Sequence, residues 1–222
     1  DRYGYLIGEL RYTQTDIGSP LVNSDESVVV GSLIWIDGQI AATGNAVEYA
    51  LSLSAGRQSD DPLSASNFHY ARVGLGWNSS AQFIQRELNI SLQLLGQLSN
   101  DVLPGSENFV MGGQNINRGY NYGELAGDSG FVISGEVSAV ETIDFRRNFT
   151  LMPFAFAEIG WAASNTFSER FARSEEGASI GIGFDFSVLS KQSGRFYAAL
   201  PLIDGPVSRD DPTFYLSISR TW

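Results

Sequence analysis

The sequence predicts an all-β protein, an antiparallel transmembrane β-barrel with about ten strands in this chain. Three observations lead to this fold class. Apolar and polar residues alternate along most of the chain, the alternating segments are about ten residues long, and the connections between them alternate in length. A tilted strand of about ten residues is long enough to cross the hydrocarbon core of a bilayer.

Alternation is clearest in two segments, each of which has one apolar and one polar face. In the segment 86–97, the polar positions Asn89, Ser91 and Gln93 alternate with Leu88, Ile90, Leu92 and Leu94. In the segment 178–188, the positions Gly181, Gly183, Asp185 and Ser187 alternate with Ile180, Ile182, Phe184, Phe186 and Val188. The apolar faces suit contact with lipid, and the polar faces suit a water-filled lumen.

The same pattern assigns a strand to each of ten segments. In chain order they are Tyr3–Thr13, Ser27–Asp37, Ala46–Arg57, Phe68–Asn78, Arg86–Ser99, Phe131–Val140, Asn148–Ala162, Ala178–Leu189, Arg195–Ile203 and Thr213–Trp222. Long connections are predicted to begin near Gln14, Gln58, Asn100, Ala163 and Asp204, and short ones near Gly38, Ser79, Glu141 and Ser190. Long loops at one end and short turns at the other are typical of outer-membrane barrels. A soluble β-sandwich also alternates, but its strands average about five to six residues.

Composition excludes several classes of function. The 222 residues carry a formal net charge of −11, which disfavours nucleic acid as a partner because phosphates are bound mainly by Lys and Arg. The chain has no Cys and no spaced cluster of His or carboxylates, so we expect no metal, no cofactor and no catalytic centre. Its longest apolar runs are about four residues, far short of a membrane-spanning helix. Because it begins at Asp1 without a leader, we expect a processed protein or a piece of a longer one.

The stretch from Asn100 to Gly130 is about 31 residues long, which is unusual for a hairpin connection and suggests a functional loop. It contains Arg118-Gly119-Tyr120, and then Gly123-Glu124-Leu125-Ala126-Gly127-Asp128-Ser129-Gly130. In these residues the sequence resembles the transporters of two-partner secretion, the haemolysin and filamentous-adhesin exporters of the barrel-assembly superfamily. In that family a Val-Arg-Gly-Tyr tip folds into the lumen, and a Gly-Glu-Leu-x-Gly-Asp-x-Gly stretch returns the chain to the wall. Asn117 stands where the family usually has Val.

A second family motif, Phe-x-Asp-x-Gly on a wall strand, corresponds to Phe156-Ala157-Glu158-Ile159-Gly160, with Glu158 in place of Asp. The resemblance implies that Arg118 reaches this carboxylate across the lumen. A buried guanidinium needs such a partner and can engage it through two charge-assisted hydrogen bonds. Glu136 and Asp185 also face the lumen in the predicted phase, so they remain competing partners. The resemblance further implies that Gly119 allows a tight turn and that Tyr120 packs the tip.

Members of this family are larger, with sixteen strands preceded by periplasmic domains. The resemblance therefore implies that residues 1–222 are the carboxy-terminal part of such a barrel in the bacterial outer membrane, with residues 100–130 as its lumen-inserted loop. The implied function is the export of a large secreted passenger protein. Phe214, Leu216, Ile218 and Trp222 resemble the terminal signal that the barrel-insertion machinery reads by strand addition. The implied partners are thus the passenger, outer-membrane lipid and that machinery.

Two other functions remain open at this stage. The first is an assembly factor of the same superfamily, which inserts other barrels into the membrane. The second is a closed ten-stranded outer-membrane hydrolase. A hydrolase would use His69, the single histidine, as its base, with Asp60 and Asp61 before it and Ser64 or Ser66 nearby. A base needs its partner within hydrogen-bond reach, which sequence alone does not establish.

Overall fold

A computed structural model describes residues 1–19, 22–41, 45–59, 65–83, 86–140, 143–146, 149–165, 173–188 and 191–221. Thirteen strands and one short 3-10 helix, Gly105–Glu107, are found in these ranges. The strands are β1 Arg2–Ser19, β2 Val22–Ile40, β3 Ala46–Ser59, β4 Ala65–Phe83, β5 Arg86–Leu98, β6 Phe109–Met111, β7 Leu125–Gly127, β8 Ser129–Ala139, β9 Ile143–Arg146, β10 Phe149–Ser164, β11 Arg173–Val188, β12 Gln192–Pro201 and β13 Thr213–Arg220. No helix in the described ranges is long and apolar enough to span a membrane.

Ten of these strands form one antiparallel sheet in the order β1-β2-β3-β4-β5-β8-β10-β11-β12-β13, and β9 pairs with the start of β10. Each strand pairs with the next long strand along the chain, as expected for hairpins that follow one another in a meander. Every one of the ten predicted segments corresponds to one of these long strands. The predicted all-β, antiparallel fold class is confirmed.

The two faces of the sheet differ as the alternation predicted. One face carries large apolar side chains that no other part of the described chain covers, for example Leu10, 80% exposed, and Ile182, 70% exposed. We call it the apolar face. The opposite face carries Glu136, Glu158, Asp185 and Arg195 and packs against the connection between β5 and β8. We call it the loop face. Within the described chain, all the long strands belong to one sheet, and only the two-stranded sheet of β6 and β7 packs on it, so the architecture differs from that of a β-sandwich.

Two predicted long loops are shorter than expected. β1 and β2 stay paired as far as Ser19 and Val22, where the sequence predicted a long loop from Gln14. β3 and β4 likewise pair as far as Ser59 and Ala65. The reason is that a β-ladder is made by backbone groups, so a hairpin can continue through polar residues after the apolar alternation has ended. By contrast, the connections 99–128 and 202–212 are long, as predicted.

Candidate functional site: a loop seated on the loop face of the sheet

The connection between β5 and β8, residues 99–128, returns on itself as a small hairpin. β6 and β7 pair through Phe109 with Gly127 and Met111 with Leu125. Backbone bonds from Gly112 N to the Ile116 carbonyl, 2.9 Å, and from Gly113 N to the Tyr120 carbonyl, 2.8 Å, close the tip between them. The sequence did not reveal this hairpin, because three-residue strands carry too little alternation to be recognised.

Apolar packing fixes the base of this hairpin to the sheet. Met111, Tyr120 and Leu125 of the loop are fully buried and cluster with Val132 of β8 and Ala162 of β10. Complete burial of a large apolar side chain contributes about 1.5–3 kcal/mol. These three side chains therefore contribute to the free energy that holds the loop against the sheet, but apolar packing is non-directional. The polar contacts described next fix the position of the tip.

Arg118 lies at the tip, buried, with its guanidinium between two carboxylates of the sheet. Its Nε donates to Glu158 Oε1 at 3.0 Å and its Nη1 to Glu136 Oε2 at 2.8 Å. The backbone N–H of Arg118 also donates to the other oxygen of Glu158. The structure thus brings Arg118 to Glu158 and, at the same time, to Glu136, one of the two competing partners.

Strand register explains why the Glu158 carboxylate can be buried without remaining unpaired. Glu158 of β10 lies directly opposite Ser134 of β8 and Ser179 of β11. Ser134 Oγ donates to Glu158 Oε1 at 2.9 Å, and Ser179 Oγ lies 3.3 Å from Glu158 Oε2. A buried charge is tolerated only where such partners replace water. Small polar residues on both neighbouring strands therefore leave room for Arg118 and complete the carboxylate's hydrogen bonds.

The charge network continues along the loop face beyond Arg118. Glu136 also accepts from Arg195 Nη2 at 2.9 Å, and Arg195 Nε donates to Asp185 at 2.7 Å. Two guanidiniums thus meet three carboxylates, which leaves a formal charge of −1 at the site. Asp185, the other competing partner, pairs with Arg195 instead of Arg118. Sequence analysis missed Arg195, although its cross-strand position opposite Asp185 follows from the pairing of β11 with β12.

Aromatic rings cover the two guanidiniums. The Cζ atom of Arg118 lies 3.5 Å from the ring centroid of Phe156, and that of Arg195 lies 4.2 Å from the ring centroid of Phe154. A cation over a ring face gains about 0.5–2 kcal/mol, more where water is excluded. The Phe of the Phe-x-Asp-x-Gly motif therefore has a direct part in holding the tip.

Gly119 and Tyr120 fill the space between the tip and strands β11 and β12. A Cβ on Gly119 would lie 3.1 Å from both Pro201 N and Ser179 Cβ. Gly119 lies in a tight turn, as predicted, closed by a hydrogen bond from Tyr120 N to the Asn117 carbonyl at 3.3 Å. Its φ is not positive, so the turn does not itself require Gly, and its smallness serves the close approach to the wall. The Tyr120 hydroxyl lies 2.7 Å from the Ile203 carbonyl and accepts from Ala178 N at 3.0 Å.

Asn117 has an explanation in backbone geometry. Its φ is +53°, in the left-handed region, where Asn is tolerated and a β-branched residue is strained. Its side chain is fully buried and its Oδ1 lies 3.3 Å from Ser179 Oγ. Asn in place of the family's usual Val thus suits the backbone, and its Oδ1 contacts β11, while its Nδ2 is buried without a hydrogen-bond partner among the described residues.

The stretch from Gly123 to Gly130 attaches the loop through the carboxylates of Glu124 and Asp128 and through close contacts of its glycines. Gly123 has a φ of +73°, as a turn residue without Cβ readily does. Glu124 accepts hydrogen bonds from the backbone N–H groups of Val207, 2.7 Å, and Ser208, both in the β12–β13 connection. Asp128 is buried and accepts from Leu103 N at 2.6 Å and from Asn165 N. Gly127 and Gly130 lie against β10, where a Cβ would come within 2.4 Å of the Ala163 carbonyl oxygen and 2.7 Å of that of Trp161, respectively.

The hydrogen bonds to Glu124 predict that the docking of residues 121–124 depends on pH. Burial raises the pKa of Glu124, but hydrogen bonds from Ser208, Val207 and Asn121 outweigh this and hold the pKa below its usual value. Because the pKa of Glu124 is lowered in the docked loop, the ionised carboxylate stabilises docking fully above its ordinary pKa of about 4.3. This stabilisation is lost as the pH falls through the lowered pKa.

We therefore expect a nitroxide label at Tyr122→Cys, an exposed site in a chain without Cys, to become more mobile in the full-length protein below about pH 4. In Glu124→Gln the label should be mobile at every pH between about 3 and 7, with no transition in this range. A Glu124→Gln variant with the same acid transition as the unsubstituted protein would contradict this assignment.

The remaining sequence predictions concern the last strand, β13, and the surroundings of His69. Phe214, Leu216 and Ile218 lie exposed on the apolar face of β13, and Trp222 lies outside the described residues.

His69 of β4 is exposed, and its Nδ1 lies 2.8 Å from Asp101 Oδ2. Ser99 Oγ donates to the backbone carbonyl of His69 and not to its ring. The described residues around His69 therefore lack the nucleophile-to-base hydrogen bond of a hydrolase. Ser66 is exposed on β4, and Asp60, Asp61 and Ser64 lie outside the described residues.

An antiparallel sheet of long strands, apolar on one face and carrying a charged loop on the other, is the architecture of a membrane barrel wall with a loop turned inward. The family model of the haemolysin secretion/activation protein ShlB/FhaC/HecB matches residues 27–186, more than half of the chain and including Arg118, Glu136 and Glu158. The chain belongs to this haemolysin secretion/activation family, as the sequence resemblance predicted.

Solved structures agree with this assignment at the level of the fold. The chain is similar to CdiB from Escherichia coli, with a TM-score of 0.53 and 15% identity over 98% of this chain and 50% of that chain. It is also similar to CdiB from Acinetobacter baumannii, with a TM-score of 0.56 and 12% identity over 98% and 50%. The chain thus spans about half the length of these proteins. No curated protein sequence matches it.

Proposed function

We propose that the chain is part of the outer-membrane pore of a two-partner secretion system, which exports a large haemolysin- or adhesin-type protein. The observation that carries this proposal is the seating of Arg118 against Glu158 and Glu136 on the loop face, in a chain of the haemolysin secretion/activation family. Residues 100–130 act as a loop inside the lumen, and lipid covers the apolar face. The same family membership favours export over the insertion of other barrels.

The ion pairs of this site support the chemistry of a reversible latch. The Arg118–Glu158 pair is buried and the Arg195–Asp185 pair is partly exposed, and both guanidiniums can exchange their carboxylate contacts for water when the loop moves. The passenger crosses as an extended chain and folds outside, which provides direction without ATP. β13 presents its alternating apolar residues to the barrel-insertion machinery during assembly.

Secretion by the full-length transporter tests this function. In a Gram-negative host that expresses the transporter with its passenger, Arg118→Ala should lower the passenger in the medium by at least about tenfold, because the latch loses its cation. The amount of folded barrel in the outer membrane should remain unchanged. Arg209→Ala is the matched control, since Arg209 is an exposed cation of the β12–β13 connection.

Two results would oppose the proposal, each at a different level. If the unsubstituted transporter released no passenger, the pore would have another cargo or another function. If Arg118→Ala secreted as much passenger as Arg209→Ala, the pore would stand but the latch would have no part in export.

A further inference from the structure

Glu107, a buried carboxylate of the loop, binds partners other than those of Arg118 and was not recognised in the sequence. Glu107 ends the short 3-10 helix of the outgoing arm, by which we mean residues 99–108, and is fully buried. Arg11 Nη2 donates to its two carboxylate oxygens at 2.7 and 2.6 Å, and the Tyr70 hydroxyl donates at 2.6 Å. These contacts make Glu107 the centre of a separate ionic cluster.

The backbone carbonyl of Glu107 is also hydrogen-bonded. Gln97 Nε2 donates to the Glu107 carbonyl at 3.0 Å, and Arg72 Nη2 donates to it at 3.2 Å. Gln97 also donates to the Asp128 carbonyl at 3.0 Å, which joins the outgoing arm to the returning arm, by which we mean residues 121–128. A fully buried carboxylate with this many matched donors holds a defined position, because moving it would leave several buried polar groups unpaired.

The two ionic clusters of the loop contact different halves of the sheet order, β1 to β5 for Glu107 and β8 onwards for Arg118. Arg11 belongs to β1, the first strand of the sheet, whereas Arg118 binds β8 and β10. The residues after Arg118 reach the last strand, since the Tyr215 hydroxyl lies 3.4 Å from the Tyr120 carbonyl. The loop therefore contacts strands from β1 to β13.

We propose that Glu107 is a second charged anchor, so that the loop braces the sheet from β1 to β13 and leaves the lumen only when both ion pairs have broken. This rests on the proposed function, in which the loop is a latch. While one anchor holds, the other rebinds as an intramolecular partner at high effective concentration. Glu107 acts as a positioning residue, because it retains the outgoing arm without contact to Arg118.

Thiol labelling tests this anchor without reference to secretion. The 222 residues contain no Cys, so Leu103→Cys adds one buried thiol to the outgoing arm, and any Cys elsewhere in the full-length protein is first replaced by Ser. A maleimide reacts with this thiol only when that arm opens. In the full-length protein in lipid vesicles, Glu107→Gln and Arg11→Gln should each raise the labelling rate at least about tenfold. The double variant should label no faster than Glu107→Gln, because both changes break the same pair.

Glu9→Gln is the matched control, since Glu9 is an exposed carboxylate on β1 two positions from Arg11. Arg11 is half exposed, so Arg11→Gln tests the charge pair without removing a core side chain. If Arg11→Gln labelled at the rate of Glu9→Gln, or if the two substitutions acted additively, Glu107 would not be an anchor. This outcome would be seen even in a pore that exports nothing, which separates failure of the anchor from failure of the proposed function.

Discussion

Glu158→Gln is expected to release the loop tip while the barrel remains folded. The substitution keeps the size of the side chain but removes the charge that faces Arg118 Nε at 3.0 Å. Breaking a buried ion pair by changing one partner costs about 3–5 kcal/mol, because a charge is left buried without compensation. Glu136 still contacts Arg118 at 2.8 Å, so we expect the lower end of this range, about 3 kcal/mol.

A thiol at Ile116→Cys, which packs beside the buried cluster of the tip, reports this release. With Glu158→Gln, its labelling rate in the full-length protein should rise, up to a limit of about 100-fold for about 3 kcal/mol in the opening equilibrium. Ile116 is half-buried, so slow labelling in the docked loop reduces the observed ratio below this limit. Glu158→Asp, which restores the family's usual residue at this position, keeps the charge and should have a much smaller effect. Glu176→Gln is the control for loss of an exposed carboxylate on β11.

A double variant separates the ion pair from simple packing. Arg118→Met combined with Glu158→Gln leaves no unpaired buried cation, so it should open less readily than Glu158→Gln alone. If Glu158→Gln labelled no faster than Glu176→Gln, or if the two substitutions were strictly additive, the carboxylate would not hold the tip through charge.

The placement of Glu158 could be predicted because period two decides which face of a strand a residue occupies. Once β10 is recognised, Glu158 must share a face with Phe156 and Phe154, and Glu136 on β8 falls on the same side. Which carboxylate binds Arg118 does not follow from the phase, since phase gives a face but no distance. The structure shows that one guanidinium, with donors at both ends, binds both.

The Glu107 cluster could not be predicted because Glu107 lies in a segment without periodicity, although Tyr70 and Arg72 share a face of β4. Arg11 and Glu107 are 96 residues apart, and the outgoing arm has no alternation that would indicate which side chains point inward. Irregular loops are positioned by tertiary contacts, for which a single sequence has no short-range signal. Gly119 shows the same limit, since its motif predicts the tight turn that is present but not the close approach to Pro201 and Ser179.

Gly127→Ala is expected to lift the returning arm from β10. A Cβ at this position would lie 2.4 Å from the Ala163 carbonyl oxygen, 2.5 Å from its carbonyl carbon and 2.7 Å from its nitrogen. All three are backbone atoms in a paired strand, so they cannot rotate away as a side chain would. Overpacking of this kind costs typically about 1–3 kcal/mol, and the rigidity of β10 places the expected value near the upper end.

The displacement should affect both the outgoing arm and the tip of the loop. Gly127 pairs with Phe109 and directly precedes Asp128, whose carboxylate binds Leu103 N and Asn165 N. Moving the arm away from β10 therefore separates Asp128 from Asn165 and loosens the buried Leu125 below the tip. With Gly127→Ala, we expect labelling to rise at both Leu103→Cys and Ile116→Cys, whereas Glu158→Gln should affect mainly the second site.

Gly105→Ala is the matched control, because Gly105 lies in the same loop and a Cβ there would meet no atom within 4 Å. It makes the same chemical change and should leave both labelling rates unaltered. If Gly127→Ala behaved like Gly105→Ala, β10 would be able to yield at Ala163, and the close approach would not be what holds the returning arm in register. If only the Ile116→Cys site responded, the two arms would move separately, and the bridge that Gln97 makes between Glu107 and Asp128 would not couple them.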